Sequence, residues 1–208
     1  MALTTGPLMS LDASGSVAKT IVFSKWKGRN YVRQLVTPAN PKSDKQVSVR
    51  GMFKFLSEAW AFLSAPNQAT WESIASSLSI SPFNAYVREN QSRWGSFLSP
   101  GKESPVGETG LAGTLTAQSA TGGVGQATLS VDLNVVNQNW GVQLHRSLTI
   151  GFTPSFSTLI GAIRVEDGVA HTFVDTPLAA DTYYYRLIPF TDDGFTGAAF
   201  AEINAVVT

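Results

Sequence analysis

The chain has 208 residues, 43% hydrophobic and 14% charged, with 15 Lys+Arg against 15 Asp+Glu and no cysteine. That length holds one large or two modest globular domains. The composition excludes disulfides and thiol chemistry, and two histidines are too few for a structural zinc site. No apolar run approaches the ~18 residues that would span a membrane. The first sixteen residues lack a basic start and an apolar centre, so they do not read as a secretory signal, and the expectation is a protein made in a cytosol.

Zero net charge conceals a division. Up to Lys102 there are 12 Lys+Arg and 5 Asp+Glu; from Glu103 on there are 3 and 10. Opposite charge in two halves points to two domains with different surroundings, and permits head-to-tail attraction between copies.

In chain order, residues 1–13 show no sustained period and read as an extended arm. A Ser14-Gly15-Ser16 opening leads into two β-rich runs, Val17 to Trp26 and Tyr31 to Val36, around a break at Lys27-Gly28-Arg29. This is a β-hairpin pattern. It carries Lys19, Lys25, Lys27, Arg29 and Arg33 and no acidic residue. Ser43 with Gln46 fits a capping box. Val49, Met52, Phe53, Leu56, Trp60 and Leu63 then recur at helical spacing, predicting an amphipathic helix of about twenty residues, with Phe55 and Phe62 widening its apolar stripe so that it packs on more than one side. Ser64-Ala65-Pro66 and Ser81-Pro82 each stop one helix and start another. The second helix would bury Trp71, Ile74, Ala75 and Leu78; the third Phe83, Tyr86, Val87, Asn90, Trp94 and Phe97. Residues 14–98 thus read as a hairpin and three-helix module, and the Gly/Pro-rich stretch 99–110 as a linker.

Beyond it the period becomes two. Strands are predicted near 113–119, 126–133, 140–148, 157–165, 170–174, 182–190 and 198–207, an antiparallel sandwich over 111–208. The fold class is α+β: an N-terminal hairpin plus three helices, then a β-sandwich.

Two resemblances add to this. Leu178 through Leu187 (LAADTYYYRL) and Asp192-Asp193-Gly194-Phe195-Thr196-Gly197 resemble the E–F corner, strand F and F–G loop of a fibronectin type III domain, without the family's usual Pro-Gly. The resemblance implies Tyr183 or Tyr184 as the corner tyrosine; Tyr183 fits better, because alternation then points Tyr185 and Leu187 inward and Arg186 outward, and Trp140, Val142 and Leu144 would be the inward residues of strand C. In the first half, Thr20-Ile-Val-Phe-Ser-Lys-Trp-Lys-Gly-Arg-Asn-Tyr-Val-Arg33, Pro38-Ala-Asn-Pro-Lys42, Gln46-x-x-x-Arg50, Gln68-x-x-Trp71 and Phe83-Asn-x-Tyr-Val-x-x-Asn90 are similar to a group of small tailed-bacteriophage structural proteins. That resemblance implies a virion component assembled in the host cytoplasm.

Catalytic patterns are weak. His145 and His171 have no sequence-near nucleophile or carboxylate partner of recognisable motif, Asp192-Asp193-Gly194 has the ligands of a turn and not of a calcium loop, and Gly122-Gly123-x-Gly125 opens no helix. No catalytic, cofactor or metal residue is assigned. The candidate partner-binding residues are Lys25, Trp26, Lys27, Arg29, Tyr31 and Arg33. They suit an acidic protein face, with Trp, Tyr and Arg as anchors, or nucleic acid, with bases stacked on Trp26 or Tyr31; a plain hairpin packing its aromatics on the helices needs neither. Whole-chain neutrality argues against a dedicated nucleic-acid binder. The expected role is non-enzymatic: a virion protein contacting capsid, neck or tail proteins and copies of itself, with head decoration first and neck or tail second. A carbohydrate-binding adhesin using the sandwich loops, through rings such as Trp140, Tyr183 to Tyr185 and Phe195, is the other class.

Overall fold

The computed structural model describes residues 2–3, 15–17, 20–36, 42–107, 113–134, 139–165 and 169–208. The chain forms two compact units, Met1–Pro41 and Lys42–Thr208.

The first unit is a four-stranded antiparallel sheet in the order β1-β4-β3-β2, with β1 at Ala2–Leu3, β2 at Gly15–Val17, β3 at Ile21–Trp26 and β4 at Arg29–Gln34. The hairpin stands where its β-branched and aromatic runs place it. Lys27 and Gly28 both have positive φ, 48° and 79°, the signature of a two-residue turn whose twist matches that of the strands. The proposed arm contributes Ala2–Leu3 as an edge strand; the rest of it, residues 1 and 4–13, lies outside the described residues.

The second unit opens with α1 (Asp44–Trp60), α2 (Ala65–Ala69), α3 (Glu72–Leu78) and α4 (Pro82–Gly95). Ser64 and Ser81 cap as their Ser-x-Pro and Ser-Pro contexts predict, accepting from the Asn67 and Asn84 amides. Ser43 makes no side-chain cap, so the capping box is not formed. The predicted second helix is two short ones, α2 and α3. The buried face of α1 is also rotated from the predicted one: Ser48, Met52, Phe55, Leu56 and Ala59 are buried, while Val49 and Phe53 are 44% and 48% exposed.

Seven strands follow: β5 (Leu115–Gly123), β6 (Gln126–Leu133), β7 (Asn139–Ser147), β8 (Leu159–Arg164), β9 (His171–Asp175), β10 (Asp181–Thr191) and β11 (Ile203–Val207). They form a three-stranded sheet, β5-β6-β9, facing a four-stranded one, β11-β10-β7-β8. This is a fibronectin type III-like antiparallel sandwich, and the fold class is α+β. The inner faces meet in one apolar cluster that includes Leu129, Leu133, Val142, Leu144, Tyr185 and Leu187. Tyr183 donates its hydroxyl to the Ala179 carbonyl at 3.2 Å, the corner bond expected of it. Arg146 of β7 ties the two sheets by clasping Asp175 of β9 at 2.8 and 2.9 Å, with Tyr185 donating to the same carboxylate at 3.1 Å.

The outer face of the four-stranded sheet is covered as well. Phe55 packs edge-on against Trp94, Trp140 and Phe190 at 5.3–5.6 Å, in a cluster that also holds Met52, Leu56, Trp71, Tyr86 and Leu159. The burial of β10 records this double cover: it alternates over its first half, then is buried continuously from Leu187 to Thr191. Trp140 therefore belongs to the helix–sheet cluster and not, as expected, to the inward row of strand C; the ladder shifts register where Asn139 meets Thr191, beside it. Val142 and Leu144 are inward as predicted.

The domain division departs from the sequence reading. Residues 14–98 are not one module, and 99–107 is no linker but a pinned strap; 108–110 lie outside the described residues. Asn90, fully buried, exchanges two hydrogen bonds with the Gly101 backbone at 2.9 and 3.1 Å. Trp71 Nε1 donates to the Lys102 carbonyl, and Lys102 Nζ sits 2.7 Å from Asp192 Oδ2. Ser99 Oγ lies 2.6 Å from Thr196 Oγ1 and accepts from Gln143 at 3.0 Å. Composition suggested a loose connection because Gly and Pro break regular structure, but these backbone groups find partners on both sides.

Candidate functional site

The hairpin is the first candidate. In an antiparallel ladder, paired residues share a face. Trp26 pairs with Arg29, Ser24 with Tyr31, and Val22 with Arg33. Trp26, Arg29, Tyr31 and Arg33 thus stand on one face, as a row of alternating rings and guanidinium groups. Lys25 pairs with Asn30 and belongs to the other face, with Phe23 and Val32. Lys27 occupies the turn and holds its Nζ 4.8 Å from the centre of the Trp26 ring. Of the six predicted partner residues, the ladder brings four together, adds Lys27 at the tip and separates Lys25.

Among the described residues β2 pairs with Ile21–Phe23 and β1 with Tyr31 and Val32, and Lys27-Gly28 closes the hairpin. Trp26 is 66% exposed at its end. None of the side chains described in this sheet is buried.

The second unit offers a groove of about 900 Å³ that the sequence reading did not single out. One wall is the α1 face carrying Arg50, Gly51, Lys54 and Glu58; the opposite side is β8 and β9. α1 reaches β8 closely because residue 51 has no side chain: a Cβ there would lie 2.6 Å from the Ile160 carbonyl oxygen. Ser48 Oγ, fully buried, is within donating distance of the Leu159 and Phe156 carbonyls, at 2.7 and 2.8 Å. The Arg164 guanidinium lies 3.8 Å over the Phe62 ring at one end. A glycine inside an otherwise amphipathic helix was the signal available in the sequence, since it marks a close approach.

The histidines serve different places. His145 is fully buried, with Nδ1 3.0 Å from Thr158 Oγ1 and Phe97 edge-on at 5.6 Å. Burial lowers its pKa to about 4, against the opposing pull of a hydrogen bond with the Ser155 backbone, so the ring is neutral near pH 7. His171 begins β9, in the groove. Burial and the adjacent Asp175 carboxylate both raise the Tyr185 hydroxyl's pKa. Asp192 and Asp193 are held in a turn: Asp193 Oδ1 accepts from the Gly107 amide, and Gly194 has φ 83°. Among the described residues no cluster of three or more His, Asp or Glu is placed to hold a metal. None of their helices is long and apolar enough to cross a membrane.

No protein-family model and no curated protein matches the sequence. Among solved structures the chain is similar to an Fn3-like protein from Clostridium thermocellum (20% identity, 47% of this chain and 96% of that one, TM-score 0.36). It is similar also to the chicken CNTN1 FN1-FN3 domains (14% identity, 45% of this chain and 31% of that one, TM-score 0.33). A third likeness is to a beta-1,2-glucanase from Parabacteroides distasonis (10% identity, 47% of this chain and 14% of that one, TM-score 0.34).

Proposed function

We propose that the chain is a non-enzymatic structural protein of a bacteriophage particle, anchored to neighbouring virion proteins through its N-terminal sheet. The observation that carries this reading is Trp26, 66% exposed at the hairpin tip with Lys27 over its ring and Arg29 paired beside it, on a sheet in which no described side chain is fully buried. The sequence resemblance of the first half to tailed-phage structural proteins supplies the setting. Decoration of the capsid surface is the first position and the neck or tail the second. The partner is an acidic protein face: Trp26 is the apolar anchor, with Lys27 and Arg29 beside it and Arg33 further along the same face. No cofactor enters this role.

The test is incorporation of purified variants into particles that lack the protein. A buried aromatic anchor is worth about 2 kcal/mol or more, so Trp26→Ala should abolish incorporation while the free protein stays folded. Paired charges at a rim contribute at most about 1 kcal/mol each. Lys27→Glu with Arg29→Glu should therefore weaken incorporation, most at low salt. Normal incorporation of all these variants would remove the hairpin as the anchor. The adhesin alternative has fewer rings to offer than the sequence suggested: Trp140, Tyr183 and Tyr185 are buried, leaving Tyr184 and Phe195.

A further inference from the structure

We infer that the ring-and-guanidinium face of the hairpin docks on the outer face of the β5-β6-β9 sheet of a second copy of this chain. This rests on the reading of the hairpin as an anchor and names the partner it meets. The two units carry opposite charge: residues 1–41 hold five Lys+Arg and one acid, residues 42–208 ten and fourteen. In the first unit Lys27, Arg29 and Arg33 are exposed, and the two arginines share their face with Trp26 and Tyr31. That face is large and cationic.

The sandwich presents the converse. Helices cover the outer side of the four-stranded sheet at Trp140 and Phe190. On the three-stranded sheet the register turns Ser119, Ser130 and Thr172 outward in one row and Thr121, Thr128 and Val174 in the next. None of the six is buried, and Ser119, Thr121, Thr172 and Val174 are exposed. Asp132, beside Ser130 on the same side of β6, is the one charged residue among them, and its Oδ1 has no hydrogen-bond partner. Rings and guanidinium groups lie flat on short side chains without steric conflict, and arginine N–H groups donate to hydroxyl and carboxylate oxygens. Three strands over seven residues cover roughly 14 by 20 Å, less than a stable pair needs, so one contact is weak and repetition in an assembly sustains it. Because the faces differ, a pair keeps one unused face of each kind, and addition continues until a ring closes or a filament forms.

The chain has no cysteine, so single cysteines report the contact. Ser24→Cys lies opposite Tyr31 on the hairpin face, Ser119→Cys on the receiving face, and Ser77→Cys on the exposed side of α3. Full chains with one cysteine each are mixed in pairs with a short bismaleimide, and dimer is read on a denaturing gel. Ser24→Cys should cross-link to Ser119→Cys and not to Ser77→Cys, with less product at high salt. Adding Lys27→Glu and Arg29→Glu to the Ser24→Cys chain should cut the product by about five-fold or more; circular dichroism checks that it is folded. No product with Ser119→Cys, equal product with Ser77→Cys, or equal product of Ser24→Cys with itself would each overturn the inference. So would a chain carrying both Ser24→Cys and Ser119→Cys that closes on itself at every dilution, since the occupant would then be its own second unit. Loss of particle incorporation in Trp26→Ala without a Ser24–Ser119 product would sink this inference and leave the anchor reading standing; normal incorporation of Trp26→Ala would sink the anchor reading and this inference with it.

Discussion

The hairpin sheet and the helix–sandwich unit use similar residues to opposite ends. Trp26 and Tyr31 share one face of the hairpin, the first 66% exposed and the second half-buried. Trp71, Trp94, Trp140, Tyr86 and Tyr185 are buried at 4% exposure or less. Among the described residues the first unit has no fully buried side chain, and the second has two cores that share one sheet. Apolar and aromatic content is therefore a poor guide to stability here. What matters is whether a second layer covers the face. The four-stranded sheet is covered twice, by β5-β6-β9 and by the helices; on the hairpin sheet no described side chain is buried.

The comparison can be broken most directly at Phe55, which touches rings from α4, β7 and β10. Phe55→Ala should cost about 3–5 kcal/mol. In urea, helix and sandwich signals should move together to a lower midpoint. Helices melting before an unshifted sandwich would instead restore a domain boundary near 99–110. Acid should act on the same unit through His145. Its pKa falls from 6.5 to about 4 on folding, so the unfolded chain takes up the proton first. The stabilisation is present above pH 6.5 and lost as pH falls through 4, a change of about 3 kcal/mol. A denaturation series over that range, repeated on His145→Leu, should show the slope flattened in the variant.

At Gly51 the effect is smaller. Alanine would favour the helix by about 1 kcal/mol but press on the β8 backbone, and the net should be a loss of about 1–2 kcal/mol. An unchanged or raised midpoint would mean that α1 shifts freely against β8. The smallest effect is expected in the first unit, where Trp26→Ala should move stability by no more than about 0.5 kcal/mol. A larger loss would make Trp26 a core residue and remove it from the candidate site.

Much was legible without coordinates, and for a common reason: it is local. The Lys27-Gly28 turn, the Ser caps before α2 and α4, and the order and approximate span of all seven sandwich strands follow from periodicity and turn chemistry within a few residues. The Tyr183 corner and the inward Tyr185 and Leu187 follow from alternation once a register is chosen. Tertiary structure decided which layer each face meets. Period 3.6 showed that α1 is amphipathic and included Phe55 in its stripe, but β8 and α4 turned the buried arc toward Phe55 and Ser48, leaving Val49 and Phe53 outside. The charge change near Lys102 recorded surface composition and not packing, so it marked a boundary where Asn90, Lys102 and Ser99 bind the strap to both neighbours. The candidate residues of the hairpin were chosen by charge, and only the ladder register assigned Lys25 to the opposite face. The groove had no motif because one wall, α1, lies about a hundred residues from the other, β8 and β9, in the chain; local pattern carries no information about contacts at that separation, and Gly51 was its single trace.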